Sequence, residues 1–304
     1  MESSNRGGKE KQQGMAYRSK RFKQNADEEF TGKTLDVEKA SLINQHDKEL
    51  FQSYQRELDG RNDRYERLVK LSRDITIESK RIIFQLHRYT AAKTEKEKED
   101  LLKEVSTRLA NLRQKQFYEI AKELHNLDQN LYNRAVAFGL QEFIEAWSFY
   151  TFIAANDFLR IDQIAEGLSF NMPTDKGDTT EKCFVEVSVM DYLLGLSDLG
   201  GELMRFAINK VAADHCAPTE VAEFMRRLYA YYLLLGNLSY NKDYADKLRV
   251  LHNSLMKVEY ELYLLKVRSS EVPKEMIADY MSLCVSEVQQ SSNMASESAR
   301  TSYY

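Results

Sequence analysis

Apolar positions recur along this chain with the 3.6-residue period of the α-helix, and the longest such pattern runs from about Leu42 to His87 or beyond. Within it Tyr54, Arg61, Leu68, Ile75 and Ile82 repeat every seven residues, as do Tyr65, Ser72, Ser79 and Leu86 after Leu58. That is the seam of a bundle helix, and small Ser72 and Ser79 on it predict close approach by a neighbour. Further helices are expected over Thr94–His125, Asp128–Ala155, Ile161–Leu168, Met190–Ala213, Thr219–Leu235 and Lys242–Arg268, with a last short one after Pro273. Phe184 to Val189 alternates like a brief extended segment, after a loop from Pro173 to Thr180 that holds Gly177. No segment repeats another.

Composition agrees with an all-α fold. Only 12 glycines and 3 prolines punctuate 304 residues, too few for a turn-rich β architecture, and 43% hydrophobic content can fill a sizeable core. The expected organisation is a disordered basic tail (residues 1–33), one all-helical domain (residues 34–284) and a flexible Ser-rich tail (residues 285–304). In the first tail Lys9, Lys11, Arg18, Lys20, Arg21 and Lys23 have the layout of a split nuclear-import signal, and equally of a solvated basic arm. The polar start lacks the apolar core of a signal peptide. Cys183, Cys216 and Cys284 match no metal or redox spacing and read as free thiols in a reducing compartment, so the expected location is cytoplasm and nucleus.

The chemistry lies in the most apolar stretches. From Ala135 to Ala155 the only charged side chains are Glu142 and Glu145, and a second pair, Asp198 and Glu202, sits in another apolar helix. Two acids and six aromatics make Ala135–Ala155 a buried helix of a water-soluble fold rather than a membrane span. Residues three or four apart share a helix face, and burying an unpaired carboxylate is costly unless a cation or proton is held there. Four oxygen donors on two helices therefore suggest an Mg2+ site at Glu142, Glu145, Asp198 and Glu202. Either pair could instead face solvent at a kink or be neutralised by an arginine such as Arg205 or Arg73. Asp191 shares nearly the face of Asp198 but starts its helix, which suits a dipole or capping role.

The long first helix also carries a basic face. Arg67, Lys70, Arg73, Lys80, Arg81 and Arg88 fall within roughly 140° of one another on a helical wheel, a spacing that can follow successive phosphates. Interspersed Glu66, Asp74 and Glu78 fit a merely solvated face as well. The net charge of −4 gives no global pull toward nucleic acid, so such binding has to be local. None of the five histidines follows a glutamate by three residues, which disfavours a ferritin-like di-iron site. Phosphate-loop, dinucleotide-fold and nucleophile-elbow motifs are absent, and Gly200 and Gly201 suit helix contact rather than a phosphate cradle.

Four blocks carry a resemblance: RNDRYERLVKLSRDITIESKRIIFQLHR (Arg61–Arg88), GLQEFIEAWSF (Gly139–Phe149), DYLLGLSDLGGELMR (Asp191–Arg205) and LKVRSSEVPKEMIAD (Leu265–Asp279). Together they closely resemble the translin-associated factor X branch of the translin family, over about Phe51 to Asp279. The tails and the loop from Pro173 to Glu181 lie outside the likeness, and Trp147 is bulkier than the family pattern beside Glu145. The resemblance implies a seven-helix subunit that assembles with translin into a closed hetero-octamer. It also implies an Mg2+-dependent endoribonuclease site, which by motif match falls on Glu142, Glu145, Asp198 and Glu202. Single-stranded RNA and single-stranded DNA are the implied ligands. The implied role is removal of nicked siRNA passenger-strand fragments during RISC activation, beside an Argonaute-containing loading complex. Arg67, Lys70, Arg73, Lys80 and Arg81 would then position the strand or serve the subunit interface. The alternative is a non-catalytic nucleic-acid-binding scaffold that stabilises translin.

Overall fold

The long seven-residue seam does form one helix, α1 (Gln45–His87). The structure, a computed structural model, describes residues 44–173, 180–214, 218–236 and 241–271. The expected terminal tails, the basic import-like cluster and the short helix after Pro273 lie outside those residues. Packing divides the chain after Arg61. Up to that point α1 is exposed on every side, and local pairs such as Arg61 Nη2 to Glu57 Oε1 at 2.6 Å run along it. From Asn62 onward the seam is used: Leu68, Ser72, Ile75, Ser79, Ile82 and Leu86 are buried.

A 3-10 turn (Arg88–Ala91) leads out of α1 to Thr94, whose hydroxyl accepts the Glu97 N–H while the Glu97 carboxylate accepts the Thr94 N–H. That capping box opens α2, which runs Glu95–Leu112, passes through a π-helical turn at Arg113–Phe117 and continues over Tyr118–Glu123. A second 3-10 turn (Gln129–Tyr132) starts α3 (Asn133–Ala155), which ends on Asn156 in the left-handed conformation, φ 52°. Then come α4 (Ile161–Gly167), strands β1 (Ser169–Pro173) and β2 (Thr180–Phe184), α5 (Val189–Asp214), α6 (Thr219–Leu234) and α7 (Lys242–Glu271). Seven helices, counting α2 through its π turn as one, account for the described fold, which is all-α apart from the one hairpin.

The hairpin differs from the expected extended segment. β1 and β2 pair antiparallel from Ser169–Phe184 to Pro173–Thr180, so the ladder stops where the alternation from Phe184 to Val189 begins. Beyond it Val185 donates its N–H to Leu168 at 3.1 Å, and Gln129 takes over, donating to Phe184 O and accepting from Glu186 N–H, each at 2.9 Å. The hairpin lies on the end of α2, with the Tyr118 and Phe170 rings edge to face and Cys183 buried as a free thiol.

α3 is apolar nearly all round because it has neighbours on both sides. On one side the Gly139 N–H donates to Ser72 Oγ at 3.0 Å, and a Cβ at Gly139 would stand 2.6 Å from the Ser72 carbonyl oxygen. On the other, a Cβ at Gly195 of α5 would stand 2.8 Å from the Gln141 carbonyl oxygen. These two close approaches set α1, α3 and α5 at short spacing, with the seam's small Ser72 in the expected role. α5 packs in turn on α7 and α6. Gly200 makes the expected helix contact, against Leu251 of α7, whereas the space beside Gly201 is open.

Candidate functional site

α3 and α5 bring the two carboxylate pairs together. Glu142 and Glu145 project from α3 toward Asp198 and Glu202 of α5, and the four act on one another electrostatically. Glu145 is buried and, among the described residues, has no hydrogen-bond or ion-pair partner. Burial first, and then the charges of Glu202, Asp198 and Glu142, hold its carboxyl well above the usual carboxylate range. Burial also raises Glu142 and Asp198, opposed in each case by a lysine.

The other three acids are paired. Lys80 Nζ of α1 stands 3.1 Å from Glu142 Oε1, and Lys247 Nζ of α7 donates to Asp198 Oδ2 at 2.6 Å and to the Leu194 carbonyl at 3.1 Å. Glu202 is held twice, with His87 Nε2 at 2.6 Å and Arg205 Nη1 at 2.8 Å. Neutralisation by Arg205 thus operates on Glu202, whereas Arg73 touches none of the four. Three of the acids are thus each engaged by a partner of their own. Among the described residues no three His, Cys, Asp or Glu side chains are placed to share an ion.

Two members of this cluster escaped sequence reasoning. His87 has no glutamate three residues before it, yet it lies seven residues after Lys80 and so on the same face of α1. Its ring packs on Phe149 at 5.0 Å between centroids, and its Nδ1 is buried without a partner. Lys247 carries no local signal at all, since only the fold brings α7 beside Asp198. Asp191 behaves as expected for a first-turn residue: Ser188 Oγ donates to its carboxylate at 2.6 Å and accepts its N–H at 3.0 Å, and Gln141 donates to its other oxygen at 2.9 Å. Trp147 leaves the carboxylates alone. It faces Phe143, Gly167 and the Arg113 guanidinium, which lies 4.7 Å from its ring centroid.

The basic face of α1 is only partly free. Arg67 makes a two-pronged bond to Glu123 at 2.8 and 3.0 Å, Arg81 reaches Glu78 at 3.4 Å, and Lys80 is turned to Glu142. Lys70, Arg73 and Arg88 make no ion pair among the described residues.

A helical bundle with one hairpin and four acids facing across two central helices is the class of protein these observations define. The translin family model matches residues 63–269, and the chain belongs to the translin family. It is 44% identical over 245 residues to Translin-associated protein X of Pongo abelii, covering 77% of this chain and 83% of that relative. Identity to Translin-associated protein X of Mus musculus is 42% over 257 residues, 81% of this chain and 87% of the relative. Among solved structures the crystal structure of apo-NeC3PO superposes with a TM-score of 0.51 at 18% identity, over 77% of this chain and 100% of that one, a likeness of fold. No described helix is long and apolar enough to cross a membrane.

Proposed function

We propose that this chain is the carboxylate-bearing subunit of a hetero-oligomer with translin, in which Glu142, Glu145, Asp198 and Glu202 form an Mg2+-dependent endoribonuclease centre for single-stranded RNA. The observation that carries the reading is Glu145, a buried acid with no partner facing three further acids. Such a group is costly to keep charged, and a hard cation favouring oxygen ligands would offset that cost. The relatives' name, Translin-associated protein X, supports the partner. The donor set fits Mg2+ in kind, and the four acids would hold the ion once Lys80 and Lys247 give way. Bound there, Mg2+ would neutralise charge on the scissile phosphate and render a water more acidic.

The chain's own residues do the rest. His87 and Arg205 orient Glu202, while Lys80 and Lys247, released from Glu142 and Asp198, are near enough to meet phosphate oxygens. By the same reading the substrates include nicked siRNA passenger-strand fragments, cleared during RISC activation beside an Argonaute-containing complex, in cytoplasm and nucleus. The test is cleavage of a short single-stranded RNA by the chain co-expressed with translin, wild type against Glu142→Gln/Glu145→Gln, with Mg2+ and with EDTA. Loss in both the variant and the chelated sample, with assembly unchanged, supports the reading. Full activity in the variant overturns it.

The ion pairs themselves favour a second reading, a non-catalytic nucleic-acid-binding scaffold that stabilises translin. Three of the four acids already have cationic partners, which a purely structural network requires. That reading expects RNA cleavage by the complex to survive Asp198→Asn and Glu202→Gln.

A further inference from the structure

On α1 the basic side chains, of which Lys70, Arg73 and Arg88 are unpaired among the described residues, share their face with apolar ones. Lys70, Arg73, Ile77, Lys80, Arg81, Phe84 and Arg88 fall within about 100° of arc, and no acidic residue of that stretch lies inside it. Ile77 is 51% exposed and Phe84 73% exposed, although each follows a buried member of the same helix's seam by two residues. On α3, one turn before Glu142, Phe138 is 62% exposed, and its ring centroid lies 6.0 Å from Lys80 Nζ. Lys80 therefore joins an exposed aromatic ring to the carboxylate cluster, spanning 3.1 Å to Glu142 on its other side.

Large rings left in water at a basic surface need an occupant, and the interleaving decides which. A protein helix would bury the apolar groups but leave Lys70, Arg73 and Arg88 to be desolvated or matched by acids. A single strand of nucleic acid satisfies both: its phosphates match the cations, and its bases present flat apolar faces to the rings. We propose that Phe138 and Phe84 are base-stacking residues on a single-strand track along α1, and that Phe138 seats the nucleotide adjoining the carboxylate cluster. This rests on the nuclease reading only for what happens to that nucleotide next. Stacking on a ring tolerates any base, so the track positions substrate without selecting its sequence. A duplex would not engage such a track, because paired bases cannot turn their faces to Phe138.

The experiment measures binding of a labelled single-stranded oligoribonucleotide containing 2-aminopurine, in EDTA, to the full chain purified with translin. Phe138→Ala and Phe84→Ala should each weaken binding about tenfold and relieve the fluorescence quenching that stacking produces. Phe138→Tyr should keep both, and a duplex of the same sequence should bind all forms alike. Unchanged affinity and quenching in the alanine variants overturns the track, as does equal weakening for the duplex. Loss of translin from the alanine variants also overturns it, marking the patch as a protein interface. If wild type binds and stacks the strand but never cleaves it with Mg2+, the nuclease reading fails while the track stands.

Discussion

Glu145 differs from its three acidic neighbours in having no cation, and under the proposed nuclease reading that asymmetry separates catalysis from packing at the level of one side chain. Glu145→Ala should abolish RNA cleavage and leave assembly with translin intact, read by a cleavage assay beside size-exclusion chromatography; loss of the complex would count against the assignment. Trp147 makes the opposite prediction. Its ring stands over Arg113 and Gly167, away from the acids, so Trp147→Ala should cost roughly 2–4 kcal/mol in urea unfolding while cleavage per folded molecule is unchanged. Glu261 is a buried carboxyl outside the cluster, and burial raises its pKa above the usual range. The unfolded chain ionises at lower pH than the folded one, so this residue's contribution to stability falls as pH rises through the folded value. Glu261→Gln should therefore be more stable than wild type at pH about 7 and no more stable at pH about 3, where both states are protonated.

At the scale of elements, the distance between helices is set by residues without side chains. Gly139 lies against the Ser72 backbone and Gly195 against the Gln141 backbone, and backbone has no rotamer with which to yield. Gly139→Ala should cost about 1–3 kcal/mol in chemical denaturation and, by moving α1 from α3, separate Lys80 and His87 from the acids they hold. The small seam residues forecast this contact from α1 alone. The hairpin was a different matter, because β1 alternates polar and apolar over only five residues, too short a run to mark a strand, and its Phe170 packs on Tyr118 of α2. The π turn at Arg113–Phe117 was equally hidden, as it places Phe117 on Phe143 of a helix met only in the tertiary fold.

Across the whole molecule, apolar surface on the last two helices remains in water. Tyr231, Leu233 and Leu234 on α6, and Met256, Tyr260 and Tyr263 on α7, are exposed. The chain purified alone should self-associate, and Leu234→Glu with Tyr260→Glu should reduce that association in light scattering without altering helical content by circular dichroism.

Helical class, the order of the helices and the presence of four acids in apolar runs were legible in the sequence, since periodicity and charged residues in apolar runs are local properties of the chain. The contacts of those acids were not. Lys80 reads as part of a phosphate track and stands on Glu142, His87 has no glutamate three residues before it and stands on Glu202, and Lys247 lies 49 residues beyond Asp198. Spacing reports which residues share a helix face, whereas the partner across a helix interface depends on how backbones approach. Here that approach was decided by Gly139 and Gly195, at two points of contact that only the folded molecule contains.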